Sequence, residues 1–195
     1  MRTYDEGALV ARLALLTRAR KSAFAAACAQ RLLPLFERYV SATGEGSFDS
    51  LSEVVAATWS VAAGADLDLT SAQAVAESMV PSDDGTWVFE MGYGQNAAAA
   101  AAYATRTWLL DSPQEAAWAA RQVYEAADYA AQHELPTVDL KTSGAERTII
   151  QSRVVQAALS GIWGDLEEVE STNWSCDSLQ KRARVEGRTW AASLP

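Results

Sequence analysis

Fifteen residues from Asn96 to Leu110, NAAAAAAYATRTWLL, carry one charge, Arg106, and six consecutive alanines. Alanine has the best helix propensity, has almost no side-chain entropy to lose, and admits a neighbouring helix at close range. The stretch reads as a buried helix. A membrane span would need about 20 strongly apolar residues, and this segment is shorter, mostly alanine and charged within. Just after Leu110, Ser112 is placed to cap a second helix, Pro113 fits its first position and Glu115 stands where it can bond back to the cap. That helix runs to about Gln132 and shows a face of Ala116, Ala120, Val123, Ala127 and Ala130 at helical spacing. Two helices joined by so short a link are antiparallel neighbours, so an alanine-faced hairpin is expected at the core.

The other segments also read as helices. Thr3 and Glu6 form a capping box ahead of Leu9, Leu13 and Leu16. From Arg18 to Ala42, Phe24, Cys28, Leu32, Leu35 and Tyr39 recur at intervals of three and four, giving a helix that runs through Pro34 and stops at Gly44. Ser50 with Glu53, and Thr70 with Gln73, open two more. Ser143 with Glu146 begins a helix traced through Val155, Leu159, Ile162 and Val169, weakened at Gly161 and Gly164, and a last one runs from Ser175 to Ala192. No segment reads as a strand. The expectation is an all-α single domain of about seven helices, residues 1–195, around the hairpin.

A chain of 195 residues with 49% hydrophobic content is large enough for one stable core. Cys28 and Cys176 stand far apart in ordinary segments and read as buried thiols rather than a bridge. The N-terminal MRTYDEGALVARL lacks the continuous apolar block of a secretory signal, which points to the cytoplasm. The net charge of -9 is unevenly placed. Val40–Glu146 holds sixteen acidic residues and three basic ones, whereas Met1–Tyr39 holds seven basic and three acidic. So acidic a middle repels phosphate backbones and argues against nucleic acid as the main partner. It suits either solubility or the attraction of a basic protein.

The catalytic machinery that sequence motifs announce is missing. His133 is the one histidine, so zinc and di-iron helical sites lack their ligands, and no serine sits in a Gly-x-Ser-x-Gly elbow. Gly92-Tyr93-Gly94 lacks the third glycine, the lysine and the preceding strand of a phosphate loop. Glu125 and Asp128 share a helix face with Arg121 and read as surface ion pairs. No cofactor, metal ligand set or catalytic residue is assigned. The least regular segment, Pro81–Gly94 (PSDDGTWVFEMGYG), mixes acids with large aromatics, as partner-binding loops often do. Asp83, Asp84, Trp87, Glu90 and Tyr93 are its candidate contact residues. Its aromatics can equally fold under and close the core.

The segment Phe24-Ala25-Ala26-Ala27-Cys28-Ala29-Gln30-Arg31-Leu32-Leu33-Pro34, the Trp59 helix, the Val80-Pro81-Ser82-Asp83-Asp84 turn and the Asn96 alanine run together resemble the bacterial domain of unknown function 416 family, the YjaG-like proteins. The resemblance covers Ala8 to Gln132, the family-like core, and leaves the helices of residues 143–195 as a divergent tail. It implies an all-helical cytoplasmic domain, accounts for Pro34 as a feature of the second helix, and carries over no activity or catalytic residues.

Two functions are compatible with these features. One is a non-enzymatic interaction protein, in its sharpest form an antidote or immunity-type binder of a basic toxin or nuclease. The other is an enzyme or a small-molecule or divalent-cation binder built on carboxylates inside the bundle, using Asp83, Asp84 and Glu90, or Glu125 and Asp128 beside Tyr124 and Tyr129. Pocket shape separates them, since an enzyme encloses its carboxylates in one concave site.

Overall fold

A computed structural model of the chain describes residues 1–82, 87–134 and 144–195. Among the described residues there are nine helices and no strand: α1 (Glu6–Leu13), α2 (Arg18–Thr43), α3 (Phe48–Ala62), α4 (Thr70–Ser78), α5 (Phe89–Leu110), α6 (Pro113–Glu134), α7 (Ala145–Gln151), α8 (Arg153–Glu170) and α9 (Cys176–Ala191). The all-α bundle expected from periodicity is therefore present, and so is the α5/α6 hairpin. Ala97, Ala98, Ala100, Ala101 and Ala104 of α5 are buried, as are Ala116, Ala120, Val123, Ala127 and Ala130 of α6. A third helix shares the centre. α2 packs most extensively on α5 and also touches α3, α6, α8 and α9. Its residues Lys21 to Leu33 are buried without interruption, and the helix continues through Pro34.

Local chemistry explains where the helices end. Asp111, the C-cap of α5, is the one non-glycine residue at positive φ (50°) among those described. Lys21 of α2 holds it there, with Nζ 2.8 Å from the Asp111 carboxylate and donating to its carbonyl at 3.1 Å. Arg18 donates Nε to the Trp108 carbonyl at 2.5 Å and lays its guanidinium over the Trp108 ring. Two cations thus sit where the α5 dipole is negative. Ser112 caps α6 as expected, accepting from the Glu115 N–H at 3.3 Å.

Several boundaries differ from the sequence expectation. Asp5, not Thr3, caps α1, and Ser47, not Ser50, caps α3. Thr70 does not cap α4; the Asp68 carboxylate accepts from the Thr70 N–H at 3.0 Å. Ser143 lies outside the described residues. The single helix traced from there to Val169 is two helices, broken at Ser152, where ψ is 149° and Oγ accepts from the Val155 N–H. Gly161 and Gly164, read as weak points, lie inside α8. Ser152→Ala should lower stability by about 1 kcal/mol, the usual worth of an N-cap, as read in a urea melt.

The largest displacement concerns α5, which begins at Phe89 instead of Asn96. Gly92 and Gly94, in the least regular segment of the sequence, lie inside the helix as close-approach positions. An added Cβ at Gly92 would lie 2.7 Å from the Tyr129 ring, and one at Gly94 would lie 2.5 Å from the Tyr39 ring. Both glycines let aromatic rings press directly against the α5 backbone.

One ionic cluster ties α2, α8 and α9 together beneath the surface. Asp165, fully buried, accepts Nε and Nη2 of Arg31 at 2.8 Å each and Nη2 of Arg182 at 2.6 Å. Arg182 also pairs with Glu168 at 2.5 Å, and Arg31 with Glu186 at 2.7 Å. Gly187 makes the approach possible, since a Cβ there would meet the Arg31 Cα at 2.7 Å. Both cysteines are free thiols; Cys28 is buried, while Cys176 is only half-buried. Burial pushes the Cys28 thiol well above its ordinary pKa.

Candidate functional site

A concave groove of ≈ 560 Å³ runs between α5 and α6 and is closed at its sides by Glu77 of α4 and by Trp87. Its walls follow helical spacing. Gly92, Asn96, Ala99, Tyr103 and Arg106 lie along one face of α5, and Gln122, Glu125, Tyr129 and Gln132 along one face of α6. The small residues of α5 form the floor, so the longer side chains of α6 stand proud of it. An alanine-rich face thus buries one side of α5 and hollows out the other.

Three carboxylates face this space, from Glu77, Glu125 and Asp128. Glu125 accepts the Arg121 Nε at 2.7 Å, the surface ion pair anticipated from spacing. Asp128 does not join that pair; its described polar partner is the amide of Gln132. Burial holds the Asp128 carboxyl above the usual aspartate range, the Gln132 hydrogen bond pulls it back, and the nearby charges of Glu125 and Glu146 raise it further. Among the described residues no cation pairs with it. Gln122, 9% exposed, makes no hydrogen bond to any described residue, leaving a buried amide open to the groove. At the far end Arg106 pairs with Glu115 at 2.7 Å, and one buried Glu115 oxygen has no described partner. Burial raises the Glu115 carboxyl despite that pairing.

The candidate residues read from the irregular segment are scattered by the fold. Asp83 and Asp84 lie outside the described residues. Trp87, 42% exposed, stands on the groove wall with its indole N–H 3.5 Å from the Tyr129 hydroxyl. Glu90 points away from the groove and lies 3.9 Å from Arg38 of α2. Tyr93 is a correction to the surface reading: it is wholly buried, packed edge-on against Phe89 and Tyr129, and donates its hydroxyl to the Pro195 carbonyl at 3.3 Å. It faces the core because α5 starts early and turns that face of the segment inward. His133 is exposed at the end of α6, and its ring lies 4.2 Å from that of Phe89. The cation group imagined for Asp83, Asp84 and Glu90 has no described geometry beyond Glu90. Among the described residues no three His, Cys, Asp or Glu side chains cluster as metal ligands would.

The sequence profile of the family described as a protein of unknown function (DUF416) matches residues 8–189. The chain belongs to the DUF416 family. The match runs on through α9, well past Gln132, where the resemblance read from sequence had stopped. A DUF416 family protein from Shewanella baltica OS155, known from its crystal structure, has the same fold, with a TM-score of 0.77 over 92% of this chain and 93% of that one, at 16% sequence identity. None of the curated proteins matches the chain in sequence. No helix among the described residues is long and apolar enough to cross a membrane.

In this DUF416 chain the groove residues that sequence reasoning missed are Glu77, Tyr103 and Gln122. Gln122 stood in plain view on the α6 face but carries no charge, and Glu77 reaches the groove only because α4 folds back on α5. Glu125 and Asp128 had been noted for their spacing, and the fold gives them a concave setting.

Proposed function

We propose that the α5/α6 groove receives a basic segment of a partner protein and that the chain is a non-enzymatic binding protein. Asp128 carries this reading. It is a half-buried carboxylate beside two others, with no described cation to balance it. A lysine or arginine side chain entering the groove would supply that charge. Trp87 and Tyr129, side by side at the Asp128 end of the groove, are aromatic partners for that cation, and Gln122 offers an unused amide further along it. A basic toxin or nuclease held by its antidote is the sharpest form of the proposal.

The test is affinity capture by the tagged protein at low and moderate salt, with Asp128→Asn/Glu125→Gln as comparison. One basic protein retained by the wild type, released by salt and lost with the double variant is the expected result. Equal capture by both would sink the assignment of the groove.

The concavity of the groove also favours a second reading, a small organic cation bound in place of a protein. Capture of nothing, with thermal stabilisation by a polyamine that the double variant lacks, would select it.

A stability measurement tests the electrostatics independently. A carboxyl whose folded pKa is raised holds its proton more tightly in the native state, so its ionisation lowers stability as pH rises through that pKa. Asp128→Asn should therefore raise the melting midpoint slightly at pH 7. The gain should vanish as pH falls below the ordinary aspartate value of 3.8, where the carboxyl is protonated in both the folded and the unfolded chain.

A further inference from the structure

On the opposite side of α6 a second cleft, ≈ 520 Å³ in volume, opens between α8 and α9. Its walls are apolar, from Val123, Val154, Ala157, Val185 and Trp190, and its floor is the guanidinium of Arg31. Arg31 is 5% exposed, and its Nε and Nη2 are engaged by Asp165. Its Nη1 makes no hydrogen bond to any described residue and lies beside Gly161, whose missing side chain keeps the cleft open down to the guanidinium. Arg153 stands at the mouth, exposed and without an ion-pair partner among the described residues.

Glu186 shows what the floor accepts. Its carboxylate reaches in from α9 to within 2.7 Å of Arg31 Nη2 while its side chain stays 49% exposed. It is also the surplus charge of the cluster, because Arg31 and Arg182 already balance Asp165 and Glu168. An ion pair with so exposed a partner contributes little, so Glu186 can swing into water at small cost. A planar carboxylate matches the fork of a guanidinium that has a donor to spare.

We propose that this cleft binds an amphipathic monocarboxylate, its carboxylate on Arg31 in place of Glu186 and its apolar tail between α8 and α9. The volume is that of an ordinary small-molecule site, and apolar walls with one polar anchor are its usual make-up. The site is separate from the α5/α6 groove and does not depend on what that groove binds.

Isothermal titration of the full chain with decanoate, with decanol as the uncharged control, tests the proposal. Decanoate should bind one to one and decanol about tenfold more weakly or worse, the effect of losing one charge-assisted hydrogen bond. Glu186→Ala, which removes the internal competitor from an exposed position, should tighten decanoate binding by about fivefold on the same reasoning. Ala157→Glu, an exposed change that puts a negative charge and bulk in the mouth, should weaken it by at least about tenfold. Equal binding of decanol and decanoate, or decanoate binding that neither substitution alters, would overturn the assignment. So would an absence of binding to the wild type and to Glu186→Ala alike.

Discussion

Asp165→Ala is expected to cost the fold about 3–5 kcal/mol, the usual loss when one partner of a buried ion pair is removed. The loss is large because Asp165 answers two cations at once. Arg31 would be left at 5% exposure with only the half-exposed Glu186 as counter-charge, and Arg182 with Glu168 alone. The cost lies in stranding Arg31, not in losing net attraction, because taking both charges out of water offsets most of what the pair gains. Arg31→Met/Asp165→Leu should therefore be more stable than Asp165→Ala, even though it removes more interactions. Urea unfolding of Asp165→Ala beside the wild type, Arg31→Met, Asp165→Leu and the double variant measures this directly, and the coupling in the cycle of the last four should exceed about 2 kcal/mol. A loss below about 1 kcal/mol for Asp165→Ala would mean that water reaches Arg31 more freely than its burial implies.

The same cluster shows why the charge pattern could be seen in the sequence but not interpreted from it. The basic N-terminal block is real, yet most of it is spent inside the molecule. Arg2 and Arg12 pair with Glu167 and Glu170, Lys21 with Asp111, Arg31 with Asp165, and Arg20 donates to the Val169 carbonyl at 2.8 Å. Three of these acids belong to α8, in the stretch 147–195, whose six acidic and six basic residues balance when it is read alone. Periodicity could reveal the helices, because an apolar stripe is a local property. Which stripe meets which charge is a long-range property that no window of sequence contains. The candidate site divides in the same way. Glu125 and Asp128 could be found by their spacing, whereas the groove around them exists only because Ala99 and Ala102 of α5 leave a floor beneath α6. The helix ends were misplaced where competing polar residues stood within a turn of one another, as with Ser47 and Ser50, whose hydroxyls lie 2.9 Å apart.

Gly94→Ala should lose about 1–3 kcal/mol even though alanine is the better helix former by about 1 kcal/mol, because overpacking a core outweighs propensity. The new Cβ would stand 2.5 to 2.9 Å from Cγ, Cδ1 and Cδ2 of Tyr39, directly against the ring. Tyr39 cannot retreat easily. It is 2% exposed, tilted against Phe36, and its hydroxyl is tied to Glu45 at 3.1 Å. The strain must then separate α2 from α5, the most extensive helix pair in the fold, so Gly94→Val should cost more than Gly94→Ala. Gly164→Ala supplies the control. It also lies inside a helix, but nothing stands within 4 Å of its added Cβ, so only the propensity remains and stability should rise by about 0.5–1 kcal/mol. Urea midpoints at constant m-value would report both shifts. Opposite signs at two glycines that look alike in sequence would establish that Gly94 is there for the aromatic ring beside it. A gain at both would instead mean that Tyr39 yields to the added methyl group and that Gly94 has no packing role.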